Sequence, residues 1–274
     1  MNKVIYLDHL SFVFRAIYSY EKNKAVPATY TYMSMIISAL KKIGVEKDKD
    51  IIILAVDSKL GSWRKRYDKS YKAGRKEARE KHDVDWEKTW AEFNFLLDRI
   101  QTGTPIIAVE HDYIEADDII SVGCRYFKDK DNIIVSPDHD FFELTQYDNV
   151  KIFSPLKSYK SKKGAYVKVA NPYKELSKKI QNEASDGLVS PIVTEEDYEL
   201  RKKLVSLAEL PEDVENPILT TLQNLKFNKE YDISKIPFKT MQERFLEIYN
   251  TKDVIDYELC INYKKRTVKK RRKQ

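Results

Sequence analysis

Apolar positions in the first half of the chain fall into short continuous runs separated by amphipathic stretches. Val4–Leu7 (VIYL), Ile51–Val56 (IIILAV), Pro105–Val109 (PIIAV) and Asn132–Val135 (NIIV) read as buried strands, too short for helices and rich in β-branched residues. Helical patterns lie between them, one from about Ser11 and another over Thr29–Lys42. Strands alternating with helices predict an α/β fold with a mostly parallel central sheet flanked by helices. From about Ala170 the strand-like runs stop. Polar helical stretches follow at Tyr173–Gln181, Glu195–Leu207, Glu212–Leu225 and Lys239–Tyr249. The pattern therefore predicts an α/β domain over 1–169, a smaller all-helical unit over 170–255 and a tail over 256–274. A lysine-rich loop, Lys157–Lys168, leads into the helical unit.

Each predicted strand delivers acids at or just beyond its C-terminal end. Asp8 ends the first and Asp57 the second; the cluster Glu115-Ala116-Asp117-Asp118 follows the third, and Asp138 and Asp140 follow the fourth. One such acid is an ordinary turn or cap residue. Four strands doing so converge on one edge, where open parallel sheets bind their ligands. Carboxylates crowded there repel one another, and several could not stay ionised together without a cation. The pool therefore predicts metal. An all-oxygen ligand set suits magnesium or manganese, whereas zinc would want His or Cys. His9, His82, His111 and His139 form no spaced pair, and His139 reads as a bystander. The acids are too many for one magnesium; two ions about 3.5–4 Å apart would use them, an arrangement suited to phosphodiester cleavage. A helix starting near Glu115 would set Glu115 and Asp118 on one face, with Asp117 and Asp118 in its first turn. Plain capping needs one acid there, not three. Glycine-rich phosphate loops are absent, which argues against nucleotide-triphosphate and dinucleotide enzymes.

The 274 residues carry a net charge of +6, but the last eleven, KKRTVKKRRKQ, hold eight Lys or Arg and no acid. The remaining body has 41 basic against 43 acidic residues. The basic excess thus belongs to the tail, which reads as a disordered electrostatic contact for nucleic acid. A second basic stretch, Ser62–Arg79, sits directly after Asp57. It interleaves Arg64, Lys65, Arg66, Lys69, Lys72, Arg75, Lys76 and Arg79 with Trp63, Tyr67 and Tyr71, the composition of a surface that grips phosphates and stacks bases. Cys124 and Cys260 match no metal or redox spacing, and no apolar run or cleavage site marks a signal peptide or membrane span. A reduced, cytoplasmic monomer is the expectation.

Four motifs in order, YLDHLSFVFRA, VDS followed by WRKRYDKSYKAGRK, IEADDII and VSPDHDFFEL, resemble the 5′-nuclease superfamily across about the first 145 residues. That superfamily includes flap endonucleases, the 5′ exonuclease domain of bacterial polymerase I and phage 5′–3′ exonucleases. Spacing and a shortened C-terminal region resemble the phage members most, among them the ribonuclease H of T-even phages. The resemblance implies that Asp8, Asp57, Glu115 and Asp117 ligate a first catalytic metal, with Asp118 beside them, while Asp138 and Asp140 serve a second. It implies that Lys72 and Arg75 are the basic pair that steers the scissile phosphate. The segment 64–95, with Trp86 and Trp90, would form a helical arch. Where the family has GDxSDN, this chain has Asn182-Glu183-Ala184-Ser185-Asp186-Gly187. Asp186 keeps its acid, Glu183 becomes a stand-in ligand, and the missing glycine-rich run argues against potassium-assisted duplex binding. The implied activity is magnesium-dependent cutting near 5′ ends and flaps of DNA or RNA–DNA duplexes, in primer removal during replication or repair. The implied partners are nucleic acid and single-strand-binding or replisome proteins. A PIN-like ribonuclease shares acids at strand ends but is shorter and lacks the arch-like basic segment. A non-catalytic DNA-structure-binding factor would have no need to keep every first-domain acid.

Overall fold

The computed structural model describes residues 2–46, 48–155, 164–181, 192–227 and 229–249. Among these, one sheet is built from β1 (Lys3–Asp8), β2 (Ile51–Ala55), β3 (Ile107–Val109), β4 (Asp131–Val135), β5 (Val150–Ser154) and β6 (Ala165–Tyr166). Its order is β3-β2-β1-β4-β5-β6. All pairings are parallel except that of β6, which runs antiparallel to β5. The α/β class and the four predicted strands are present. β5 and β6 were not predicted: β5 alternates a lysine with apolar residues, and β6 has only two residues, so neither forms a long apolar run.

The strand order explains why the acids meet. From β1 the chain builds β2 and β3 on one side, then crosses to β4 and β5 on the other. The order reverses at β1/β4, and a crevice opens outside the C-terminal ends of strands at such a point. Asp8 closes β1, and the turn after β4 carries Asp138.

Helices cover both faces: α1 (His9–Lys22), α2 (Ala28–Ile43), α3 (Arg75–Glu80), α4 (Trp86–Gly103), α5 (Ala116–Tyr126), α6 (Pro172–Gln181), α7 (Glu195–Val205), α8 (Glu212–Gln223) and α9 (Lys239–Tyr249). One core joins Ile5 and Leu7 of β1 to Phe12, Ile36, Leu96 and Phe245. The other joins Val4 and Tyr6 to Ile119, Val122, Ile218 and Leu222. Thus α8 packs on α5 and α9 on α2. The helices beyond Ala170 lend their apolar faces to the sheet's own cores, because both faces of a parallel sheet must be covered. A small cluster of Tyr71, Ile180, Leu204 and Val205 secures α6 and α7 to the loop after β2.

α5 approaches β1 closely through Gly123, where an added Cβ would lie 2.6 Å from a ring carbon of Tyr6. Tyr6 cannot swing away freely, since its buried hydroxyl donates to Asn132 at 2.9 Å. Gly123→Ala is therefore expected to lower stability by about 1–3 kcal/mol despite alanine's better helix propensity. Urea denaturation checks this; a stability gain would show that α5 can shift off the sheet.

Candidate metal centre

The loop after β2, the start of α5 and the turn after β4 bring the predicted acids to one edge. Asp8 caps α1, accepting from the Ser11 amide at 3.3 Å, and its other oxygen accepts from Ser136 Oγ at 2.9 Å. Ser136 in turn accepts from the Asp138 amide, so one hydroxyl joins the ends of β1 and β4. Burial, then Asp57 and Asp138, push the Asp8 carboxyl up to about 7. Burial and Glu115 push Asp57 up to about 6, against Lys72, the Ala116 amide and Arg75. Asp117 is raised by burial, and also by Asp118 and Glu115, against the pull of Arg64 and Lys72. Asp138, Asp8, Asp57, Glu115 and Asp117 thus form one electrostatically continuous row. Glu115, Asp117 and Asp118 also bring one oxygen each within 4.8 Å of one another.

Asp118, expected as a ligand, also meets an internal cation. It is fully buried, and both its oxygens are taken by the Arg64 fork at 2.7 and 3.0 Å. Oδ2 also accepts from Trp63 Nε1 at 2.8 Å and the Glu115 amide at 3.1 Å. Three of these four donors meet Oδ2 and one meets Oδ1. Asp118 is a counter-charge and a helix cap. Glu115 is held almost as tightly: Oε2 accepts from Ser62, Arg64 and Tyr71, and Oε1 from Lys72 at 2.5 Å. Burial would raise the Glu115 carboxyl, but Lys72 and Arg64 outweigh it and bring it down to about 2. Asp140 faces α6, paired with Lys179 at 2.8 Å.

The basic segment divides into an inside and an outside. Trp63, Arg64 and Tyr71, expected to touch nucleic acid, are only 1–2% exposed. The correction has a plain physical reason: the buried acids of α5 need an internal cation and donors, and this segment supplies them. Burial works against the Arg64 charge, yet Asp118, Asp117 and Glu115 hold its pKa above the ordinary value. Lys65, Arg66, Lys69 and Arg75 remain exposed and Arg79 is half-buried, while Arg66 pairs with Asp213 at 2.6 Å. The side chain of Lys76 lies outside the described residues, as do Glu183, Asp186 and the basic tail. Lys72 has a left-handed backbone (φ 55°) and aims its ammonium at Glu115. Trp86 and Trp90 stack on each other and pack against Phe14 of α1, which holds the start of α4 down. His139 stacks on Phe142.

Some contributors escaped the sequence reading. Ser62 and Ser136 orient acids, Lys179 pairs Asp140, and Glu143 is buried. Glu143 accepts from Ser206 Oγ and from the Leu207 and Ala208 amides, fixing the turn between α7 and α8. A serine two residues before Asp138 and an acid inside an apolar 3₁₀ turn were the available signals.

Residues 3–176 match the family model of the 5′–3′ exonuclease, N-terminal resolvase-like domain. The ribonuclease H of enterobacteria phage T4 is 35% identical over 122 residues, 42% of this chain and 40% of that protein, so the match spans under half of the relative's length. The fold is similar to that of the phage T5 D15 protein co-crystallised with metal ions (TM-score 0.52, 16% identity, 90% of this chain and 99% of that one). It is also similar to the bacteriophage T5 D15 flap endonuclease in a pseudo-enzyme–product complex with DNA and metal ions (TM-score 0.50, 16% identity, 91% and 100%). At that identity the likeness shows the fold. The family match covers more than half of the sequence, and the chain belongs to the 5′–3′ exonuclease family of the 5′-nuclease superfamily.

Proposed function

We propose that the chain is a magnesium-dependent 5′–3′ exonuclease and flap endonuclease that hydrolyses phosphodiesters near 5′ ends of DNA or RNA–DNA duplexes. One observation carries this reading: burial, with repulsion from Asp57 and Asp138 on Asp8 and from Glu115 on Asp57, lifts the proton affinity of Asp8 and Asp57 into the neutral range. Such a set fits a hard divalent ion, which would relieve the repulsion and accept oxygen ligands. Asp8, Asp57, Glu115 and Asp117 would hold one ion, with Asp118 beside them, and Asp138 and Asp140 a second. Bound ions would supply a water of lowered pKa and charge stabilisation at phosphorus. The chain's own residues do the rest. Lys72 sits between Glu115, Asp57 and Asp117, so its ammonium is placed to orient a phosphate oxygen at the acids. Arg75, exposed at the start of α3, is placed to bind the neighbouring phosphate. The exposed Lys65 and Lys69 extend this positive rim along the strand path.

The relatives' names support the same reading: one is a ribonuclease H, and one neighbour is a flap endonuclease seen with DNA and metal ions. A duplex with a 5′-labelled flap should be cut near the junction in magnesium and left whole in EDTA. Asp138→Asn should abolish cutting with flap affinity nearly unchanged. An intact flap at saturating metal, with the chain folded by circular dichroism, would overturn the proposal.

A further inference from the structure

Two large apolar side chains stand unusually far into solvent beside the acids: Leu60, 56% exposed, and Tyr113, 52% exposed. They belong to the loops that carry Asp57 and Glu115, and a single hydroxyl holds them together. Ser58 Oγ accepts from the Leu60 amide at 3.1 Å and from the Tyr113 amide at 2.8 Å. The Tyr113 carbonyl accepts from the Trp63 amide at 2.7 Å, and the Ile114 carbonyl from the Ser58 amide at 3.0 Å. These bonds keep Tyr113 at φ 62°, a left-handed conformation disfavoured for any residue with a Cβ and rare for an aromatic one. No ring or hydrogen-bond partner meets the Tyr113 side chain among the described residues. Strained backbone over-determined by its surroundings tends to mark functional positions. Here the strain presents an aromatic face with almost no backbone freedom left to lose on binding.

We infer that Leu60 and Tyr113 form a base-stacking platform on the rim of the acid site, which takes the face of a nucleobase adjoining the phosphodiester held there. The identity of that substrate rests on the nuclease reading above. The size of the patch favours a base over a protein. Two half-exposed side chains offer about 200 Å², the scale of one ring face, against about 800 Å² per partner in a stable protein interface. Stacking is sequence-tolerant because every base has a π-face, which suits an enzyme that acts at ends rather than sequences. Ser58 couples the platform to the site, since it directly follows Asp57 in the chain. A base seated on Tyr113 would thus fix the register of the phosphate relative to the carboxylates.

The test uses the full chain and a flap duplex carrying 2-aminopurine at the base next to the junction, titrated in calcium to read binding and quenching. Tyr113→Asn removes the ring but suits the left-handed backbone, so its melting temperature should equal or exceed the wild-type value. It should bind about tenfold more weakly and lose the quenching, as should Leu60→Ala, whereas Tyr113→Phe should keep both. Wild-type affinity and quenching in Tyr113→Asn and Leu60→Ala would overturn the platform even if flap cleavage in magnesium is normal. Absent cleavage by the wild type with Tyr113-dependent quenching intact would leave the platform standing and remove the nuclease reading. Neither binding nor quenching by the wild type would overturn both.

Discussion

Asp57→Asn should lower flap cleavage roughly a thousandfold or more and, in the same protein, raise the melting temperature of the metal-free chain at pH 8. The two effects share a cause. Asp57 has its pKa raised to about 6 and Asp8 to about 7, burial being the largest cause for both. A carboxyl that binds its proton more tightly folded than unfolded stabilises the fold when protonated; that contribution is full below about pH 4 and is lost as pH rises through 6 for Asp57 and 7 for Asp8. Glu115 runs the other way: its pKa lies at about 2, so its contribution is lost only below about pH 4.5. These groups together place the stability maximum of the metal-free chain near pH 4–5. A shift of two pKa units corresponds to about 3 kcal/mol. Asp57 keeps partial access to solvent, which reduces the recoverable gain to about 1–2 kcal/mol, or a few degrees. Magnesium should raise the wild-type melting temperature more at pH 8 than at pH 6, and raise that of Asp57→Asn much less. Scanning calorimetry at both pH values, with and without magnesium, reads all of this. An Asp57→Asn chain less stable than wild type at pH 8 would show that the carboxylates do not repel as their placement implies.

Much of the scaffold behind that prediction was legible in the chain. VIYLD and IIILAVD are short, unbroken apolar runs ended by an acid, and such runs admit little besides buried parallel strands. Their C-terminal acids had to share an edge once the strands were parallel and adjacent. What periodicity could not carry was direction in the loops. WRKRYDKSYK contains charges and rings in a segment without regular period, and its composition is equally that of a nucleic-acid surface and of an internal counter-charge. The sequence does hold a hint. The three acids of EADD at one helix start exceed what capping needs, so a buried cation had to come from somewhere nearby. Tyr113 was invisible for a related reason: neither its exposure nor its left-handed backbone leaves a local signature. The short strands β5 and β6 escaped because strand character there comes from pairing with β4 and with each other, not from local pattern.

The division of the basic segment has a consequence that separates its two halves sharply. Arg64→Met should cost about 3–5 kcal/mol, more than any other single change in the segment, because it leaves a fully buried Asp118 and part of Glu115 without their cation. Arg64→Lys should rescue little. One ammonium cannot fork onto both Asp118 oxygens, reach Glu115 and also donate to the Leu204 carbonyl as Arg64 Nε does at 2.8 Å. If charge compensation is the cause, Asp118→Asn in the Arg64→Met background should recover a large part of the loss. A double-mutant cycle would then show coupling of about 2 kcal/mol or more. Trp63 fluorescence provides a local check, since its ring lies 4.6 Å from the guanidinium and its Nε1 donates to Asp118. Lys65→Ala and Lys69→Ala should behave in the opposite way. They should leave urea stability within about 0.5 kcal/mol and reduce the salt dependence of duplex binding by about one unit each. An Arg64→Met chain as stable as wild type, or a salt slope unmoved by Lys65→Ala and Lys69→Ala together, would refute the partition of one basic segment into an internal counter-charge and an external grip.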